Sequence, residues 1–343
     1  MAAAPDDPDT PAPDTARRPT LHDVARAARV ALATASYALR GSAKIPPATT
    51  ERVRAAAARL GYRPNPRFAE LMSAVRRGGP LASGERLALV WPEGARGAFA
   101  RLVADGARSR AEARGYALEE FRASAFRRPA RLAEILAARG IGGVVFGPVT
   151  TRDRFTLDWP WERFAMAVIG SAELGAPLSR AAHHHYEAMR LTLAALTRRA
   201  DLRRPAALLE AATNERAHRG WQAAWLAYAG TDAAARIHLL PPAGTTAAGR
   251  ALVSWWRRTE PDALVVSGPD VLDALAQAGL AAPPAATFTL ARAPGDTLPG
   301  IAQGYDVIAA HAVDLVIAQL QRNERGLPTP PRSLLFPGEW RES

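Results

Sequence analysis

From Leu87 to Ala291 the chain alternates apolar runs of strand length with stretches of helical periodicity, and this alternation restricts its fold more than any other feature. LALVW is followed by FARLVADGARSRAEARG, YALEEF, RLAEILAARG and IGGVVFG. The pattern continues with FAMAVIG, EAMRLTLAALTRRA, PAALLE, RAHRGWQAAWLAYAG, RIHLL, ALVSWWRRT, ALVVSG, VLDALAQAGL and TFTLA. Strands joined through helices run parallel, because each helix carries the chain back to the end of the sheet where it began. The expected fold is α/β: a doubly wound parallel sheet with helices on both faces, and the run is long enough for two such lobes. The Pro/Gly breaks near 147–160 and 283–300 are read as the lobe crossings.

The preceding residues follow a different rule. Residues 1–19, rich in Pro, Asp, Ala and Thr, cannot bury enough apolar surface to order themselves and are read as a disordered leader. Near Thr20 a helix start appears. Thr20 can cap, Asp23 stands three residues on, and Leu21, Val24, Ala25 and Ala28 form an apolar stripe. A break at Arg29-Val30-Ala31 leads to ALATASYAL, whose small residues suit close packing, and Gly41 ends it. Pro46 and Pro47 then open a third helix with Val53, Ala56, Ala57 and Leu60 at helical spacing, closed by Gly61. The domain boundaries read in this way are 1–19, 20–64 for the three-helix headpiece, 65–84 for a hinge helix and linker, and 85–343 for the two-lobed body.

The charge follows the same division. The formal net charge is +11, and Lys44 is the only lysine. Residues 1–16 carry four aspartates and no base, whereas residues 17–78 carry 13 basic side chains against three acidic ones. A compositional preference for arginine explains the choice of residue but not its concentration at one end. A short basic module beside a nearly balanced body suits a headpiece that binds phosphate attached to a sensor.

Several classes are excluded. With no cysteine there is no disulfide, thiol catalysis or Cys-ligated metal, which fits a reducing cytoplasm. No apolar run approaches the roughly 18 residues of a membrane span. Pro and Asp occupy the start, where a secretory signal needs a base and an apolar stretch, so a cytoplasmic location is expected. No GxSxG, P-loop or GxGxxG occurs, so no enzyme activity or cofactor is expected. Glu119-Glu120 is read as a solvated face. His183-His184-His185 invite a metal reading, but adjacent residues point in different directions and no Cys or HExxH companion exists. A polar rim of a cleft is the better reading.

Two helices joined by a tight turn, the second short and lined with small residues, form the helix-turn-helix pattern. The continuous run Thr20-Leu21-His22-Asp23-Val24-Ala25, Thr34-Ala35-Ser36-Tyr37-Ala38-Leu39, Arg52-Val53 and Leu60-Gly61-Tyr62-Arg63-Pro64-Asn65 resembles the headpiece of the LacI/GalR (lactose-repressor) family of bacterial transcription regulators. The resemblance implies a double-stranded DNA partner, a pseudo-palindromic operator, with Leu32, Ala33 and Tyr37 facing base edges. All three depart from the polar residues common there. Leu32 and Ala33 offer apolar contact, as to a thymine methyl, and Tyr37 can stack and hydrogen-bond; guanine would be read elsewhere, as by Arg40. Thr20, Thr34, Ser36, Lys44, Arg52, Tyr62 and Asn65 complete the implied DNA contacts, with Arg26 and Arg29 neutralising backbone charge. The family's Gly-Val-Ser turn is here Arg29-Val30-Ala31. In the family the segment after Pro-Asn folds on the operator and wedges a leucine into the minor groove. Leu71 matches it, with Met72 beside it and Pro66 added.

The body resembles the family's periplasmic-binding-protein-like sensor at Gly220-Trp221, Gly300-Ile301-x-Gln303, and the helix Val307 to Arg322 before Gly326-Leu327-Pro328. Such lobes hold a small molecule at the strand ends, where polar groups fix sugar hydroxyls and an aromatic ring stacks. The implied effector residues are Trp91, His184, Arg216, Trp221, Asp270, Arg292 and Gln303. Trp225, Trp255 and Trp256 are read as core. The whole implies a homodimeric repressor controlled by a small-molecule effector, a carbohydrate, with no leucine heptad tail to make it a tetramer. The competing readings are a constitutive DNA-binding regulator with a degenerate pocket, a sugar-binding protein of a transporter and an enzyme on the same fold.

Overall fold

A computed structural model describes residues 20–39, 45–62, 85–92, 97–149, 157–171, 173–241, 246–268, 270–293 and 295–342. The leader 1–19, Arg40, Gly41, Lys44, Asn65, Leu71, Met72 and the linker around them lie outside the described residues. The chain divides into two compact units, Met1–Ala82 and Ser83–Ser343.

The first unit holds three helices, α1 (Leu21–Ala27), α2 (Leu32–Leu39) and α3 (Pro47–Leu60). Thr20 caps α1 in a full capping box: its hydroxyl accepts from the Asp23 N–H, while Asp23 Oδ2 accepts from the Thr20 N–H at 2.8 Å. Pro47 starts α3 where a missing N–H is harmless, and Gly61, at φ 66°, ends it. The core is small and mostly alanine: Val24, Ala25, Ala28, Ala35, Ala38, Val53, Ala56 and Ala57 are buried, with Leu21, Val30, Leu39, Ile45, Leu60 and Tyr62 around them. Short side chains let the three helices approach closely, so a few residues can enclose a dry core.

The second unit contains two six-stranded sheets. One has the order β11-β5-β4-β3-β1-β2, all parallel, from β1 (Glu85–Trp91), β2 (Tyr116–Arg122), β3 (Gly143–Phe146), β4 (Ala165–Ile169), β5 (Ser179–His183) and β11 (Ser333–Phe336). The other has the order β12-β10-β9-β8-β6-β7, from β6 (Pro205–Glu210), β7 (Ile237–Leu240), β8 (Ala263–Val266), β9 (Thr287–Arg292), β10 (Gly300–Ala302) and β12 (Glu339–Arg341). Only β12 runs antiparallel, on β10. Alternate residues of a strand serve opposite faces. Leu87 and Leu89 face helices α4 (Gly97–Ala113) and α11 (Tyr305–Gln321), whereas Ala88 and Val90 face α5 (Pro129–Ala138). The second lobe repeats this, with α6 (His185–Thr197), α7 (Ala211–Arg216) and α8 (Gly220–Tyr228) before β7, then α9 (Thr246–Thr259) and α10 (Asp270–Gln277). Trp221 and Trp225 pack under one face, Trp255 under the other, so Trp225 and Trp255 are core as expected.

Two expectations need correction. The lobe crossings are not near 147–160 and 283–300. The chain leaves the first sheet after β5, between His183 and His184. It returns between β10 and α11 at Gln303-Gly304, and crosses again between β11 and β12 at Pro337-Gly338. Residues of the expected first crossing, Leu157 and Trp159, instead cover the first lobe's core, and 293–299 joins β9 to its own neighbour β10. RAHRGWQAAWLAYAG is also not one helix. His218 and Arg219 stand at φ 51° and 55°, which ends α7 and restarts the chain as α8 at Gly220. At Gly220 a Cβ would lie 3.2 Å from the Tyr186 nitrogen, a tight approach that glycine avoids.

One polar side chain completes the first sheet. Gln319, buried in α11, accepts from the Met166 N–H at 3.1 Å and donates to the Met166 carbonyl at 2.8 Å. β5 pairs with β4 only from Ala167 onward, so the amide of Gln319 stands in for the missing strand at Met166. Glu119 and Glu120 are not simply solvated: Glu119 pairs with Arg86 and Arg139, and Glu120 with Arg108.

Candidate nucleic-acid interface and ligand cleft

In the first unit, α2 divides by burial. Ala35 and Ala38 are wholly buried against α1 and α3, which turns Leu32, Ala33 and Tyr37 outward; Leu32 is 44% and Tyr37 40% exposed. Large apolar side chains held in solvent at the start of a short helix, on a unit this small, form a surface available for contact. The turn into α2 is made at Arg29, whose φ of 52° is the left-handed conformation that glycine adopts freely. The Arg-Val-Ala sequence therefore keeps the turn, with its guanidinium exposed beside it.

The remaining candidates frame that surface. Arg26, Arg29, Arg52, Arg54 and Arg59 are exposed. Arg52 also ties α3 to α1, its Nε donating to the Ala28 carbonyl at 3.1 Å. Thr34 and Ser36 are half-buried, one on each side of Ala35. The Thr20 hydroxyl is engaged with Asp23, and Tyr62 lies half-buried against the core, where burial raises its phenol pKa and keeps the hydroxyl neutral.

The second unit holds a cavity of about 150 Å³ between its lobes. Pro148, Ile169 and Ser171 line it from the carboxyl ends of the first sheet. Thr213, Arg216 and Trp221 line it from α7 and α8, and Gln303 and Tyr305 from the second crossing. Three crossings place residues distant in sequence at one point. Arg216 donates to Thr213 Oγ1 at 2.8 Å, and the Thr213 hydroxyl is bonded to Glu210. Gln303 donates to the Leu290 carbonyl at 3.1 Å. Burial pushes the Tyr305 phenol up to about 12, so it is a neutral hydroxyl at any physiological pH. His218 Nε2 donates across the cleft to the Ser171 carbonyl at 3.0 Å, which also accepts from Arg180 at 2.6 Å.

Of the seven implied effector residues, Arg216, Trp221 and Gln303 line this cavity. Trp91 is 3% exposed, its ring against Gly147 and its Nε1–H donating to Glu120 at 3.1 Å. His184 caps α6, accepting from the Glu187 N–H. Asp270 is exposed in the first turn of α10. Arg292 lines a separate cavity of about 700 Å³ with Arg341, Asp306 and Glu339, and donates to the Asp296 carbonyl at 2.7 Å. His185, read from the sequence with His183 and His184 as a polar rim of the cleft, lines the cavity, as do Phe99 and Tyr305, which that reading missed. The imidazole of His185 meets the Trp221 ring edge-on at 4.9 Å and that of His183 at 5.0 Å. Burial, then the neighbouring imidazoles, hold His185 down at about 4 and His183 at about 3, so both rings are neutral. Among the described residues no group of three or more His, Cys, Asp or Glu side chains could hold a metal, and no helix is long and apolar enough to cross a membrane.

Residues 20–65 match the family model described as "Bacterial regulatory proteins, lacI family". No curated protein matches the chain. Among solved structures, the transcriptional regulator CelR in complex with cellobiose is similar at 19% identity, over 94% of this chain and 98% of that one, with a TM-score of 0.52. The transcription regulator CcpA of Lactococcus lactis is similar at 14% identity, over 75% and 97%, with a TM-score of 0.51. The Lac repressor bound to ONPG is similar at 16% identity, over 95% and 99%, with a TM-score of 0.50. At these identities the likeness is one of fold.

Proposed function

We propose that this chain, whose residues 20–65 are a lacI-family domain, is a sequence-specific DNA-binding transcription regulator, a repressor controlled by a small-molecule effector of carbohydrate type. The observation that carries this reading is the agreement of two independent facts about α2. It falls inside the family match, and it buries Ala35 and Ala38 while holding Leu32, Ala33 and Tyr37 out to solvent. A helix so mounted can enter a major groove, with Tyr37 reading base edges and Leu32 and Ala33 meeting thymine methyls. Thr34, Ser36 and the exposed arginines then hold phosphates, and Arg40, Lys44, Asn65, Leu71 and Met72 complete the contacts.

The second unit supports the control half of the reading. It offers a cleft at the sheet ends between two lobes, and the CelR structure of like fold is a complex with cellobiose. A ligand that favours one lobe arrangement changes operator affinity by the factor that the operator changes its own. Two copies of the chain on a pseudo-palindromic operator match protein symmetry to DNA symmetry.

Binding of the full chain to fragments of its own genome, at several salt concentrations, tests the reading. Specific fragments retained over competitor DNA, with affinity falling linearly in log salt, are expected. Tyr37→Ala is expected to reduce discrimination among fragments more than it reduces binding to bulk DNA. No duplex preferred over heparin at any salt concentration would overturn the assignment.

A further inference from the structure

The helix α2 has the sequence LATASYAL and carries no guanidinium, ammonium, amide, carboxylate or imidazole. In the major groove a short list of side chains tells bases apart by paired hydrogen bonds: Arg or Lys on guanine, Asn or Gln on adenine, Asp or Glu on cytosine. None of these is on the helix. The hydroxyls of Thr34 and Ser36 donate and accept alike and select no one base, which leaves Tyr37 as its only reader by hydrogen bond. Burial fixes the side that α2 offers. Ala35 and Ala38 are wholly buried, and at about 100° per residue Ala33 points almost directly away from them, with Ser36 and Tyr37 on either side and Leu32 beyond Ser36. The centre of the outward face is thus a single methyl group, which lets the backbone come close to whatever it meets. Leu32, 44% exposed, reaches further from the first turn.

The small unit that carries this apolar face also exposes Arg29, Arg52, Arg54 and Arg59, which suits a polyanion. One group in the major groove answers an apolar face: the 5-methyl of a pyrimidine, a site for contact with small apolar side chains. Thymine bears it and so does 5-methylcytosine, whereas uracil and cytosine lack it. The two methylated bases differ in their hydrogen-bonding edges, which Leu32 and Ala33 have no means to sense.

We infer that the first turn of α2, through Leu32, reads the 5-methyl group of a pyrimidine and not its hydrogen-bonding edge, so that 5-methylcytosine paired with guanine is accepted where thymine paired with adenine is preferred. This rests on the reading of α2 as the helix that enters the groove, and adds what that helix requires of the DNA. Methylation of a cytosine at such a position turns a weak sequence into a site for this chain.

The test starts from the duplexes that the full chain selects out of a random-sequence pool at fixed salt concentration. In the best of them each thymine is replaced in turn by deoxyuridine. At one position or more, loss of the single methyl is expected to weaken binding about fourfold, the worth of one buried carbon group. Removing a methyl also alters base stacking, so the same pair of duplexes is measured on Leu32→Ala, which should bring thymine and uracil within about 1.5-fold there. Leu32 is exposed and alanine is the better helix former, so this variant keeps the headpiece fold. At that position a cytosine–guanine pair should bind the unaltered chain as weakly as uracil–adenine, and 5-methylcytosine–guanine should recover to within about twofold of thymine–adenine. Uracil tolerated at every thymine, a penalty that Leu32→Ala leaves unchanged, or 5-methylcytosine no better than cytosine would overturn the inference. Each of these leaves the preferred duplex, and with it the regulator reading, in place. A chain that prefers no duplex strikes the regulator reading itself, and the inference falls with it.

Discussion

His218 Nε2 lies 3.0 Å from the carbonyl oxygen of Ser171, and the two residues belong to different lobes. His218 reaches it from a left-handed turn at φ 51°, so the bond is built on backbone that would not adopt this form without reason. An exposed hydrogen bond of this kind contributes about 1 kcal/mol to the arrangement it closes. His218→Ala should open the cleft rim: amide exchange in residues 211–221 is expected to quicken several-fold, with little change in the thermal midpoint. Unchanged exchange would show that the lobes do not depend on this contact.

Gln319→Leu should be among the most damaging substitutions in the body. It keeps the volume of the side chain but leaves both the N–H and the carbonyl of Met166 buried without partners. At about 1 to 3 kcal/mol for each orphaned group, urea denaturation should register a loss of about 3 kcal/mol. A loss below about 1 kcal/mol would mean that β4 finds another partner at that point.

Arg29→Gly is expected to act in opposite directions on folding and on binding. Removing the side chain from φ 52° relieves the left-handed strain and should stabilise the helical headpiece by about 1 kcal/mol. Taking away an exposed guanidinium near α2 should also reduce the slope of log affinity against log salt by about one. Thermal unfolding and a salt series on the same protein read both effects. An unchanged slope would remove Arg29 from the phosphate contacts.

Acid should weaken the body before it titrates most carboxylates. His183 and His185 have folded pKa values of about 3 and 4, against 6.5 for a free imidazole. Below pH 6.5 the unfolded chain binds protons that the folded chain does not, so the stability present above that pH is lost progressively as the pH falls toward 4. His238, lowered by burial and by Arg258, adds to the same trend. The thermal midpoint should drop across this window, and His183→Leu should make the drop shallower.

The fold was legible wherever an element was long enough to show its period. Thr20 with Asp23 announced α1, and LALVW, ALVVSG and TFTLA announced central strands through apolar runs that only burial on both faces explains. The strands left unread were Ser179–His183, Gly300–Ala302, Ser333–Phe336 and Glu339–Arg341. Three to five residues of mixed polarity carry no period, and every lobe crossing lies at the end of one of these strands. Missing them displaced the crossings to the nearest Pro and Gly. The cleft was half legible for the same reason. Arg216, Trp221 and Gln303 stood out beside Gly220 and Gly300, and His185 as part of a polar rim, but Tyr305 reaches the cavity only through a crossing and Phe99 only from the first turn of α4, and nothing local to those two residues announced it. Gln319 carried a signal that could have been used: a lone amide in the otherwise apolar stretch LVIAQL.

The order in which the strands are assembled bears on how the protein is made. The first lobe begins with Glu85, yet its edge strand is Ser333–Phe336 and the helix covering one face is Tyr305–Gln321. A chain emerging from the ribosome therefore builds the second lobe's β6 to β9 while the first still has one face only partly covered, and the earlier lobe is finished only when residue 336 has left the exit tunnel. During that interval the surface formed by Leu87, Leu89, Val145 and Ile169 has α4 beside it but lacks α11, which leaves part of it open to chaperones and to aggregation during synthesis.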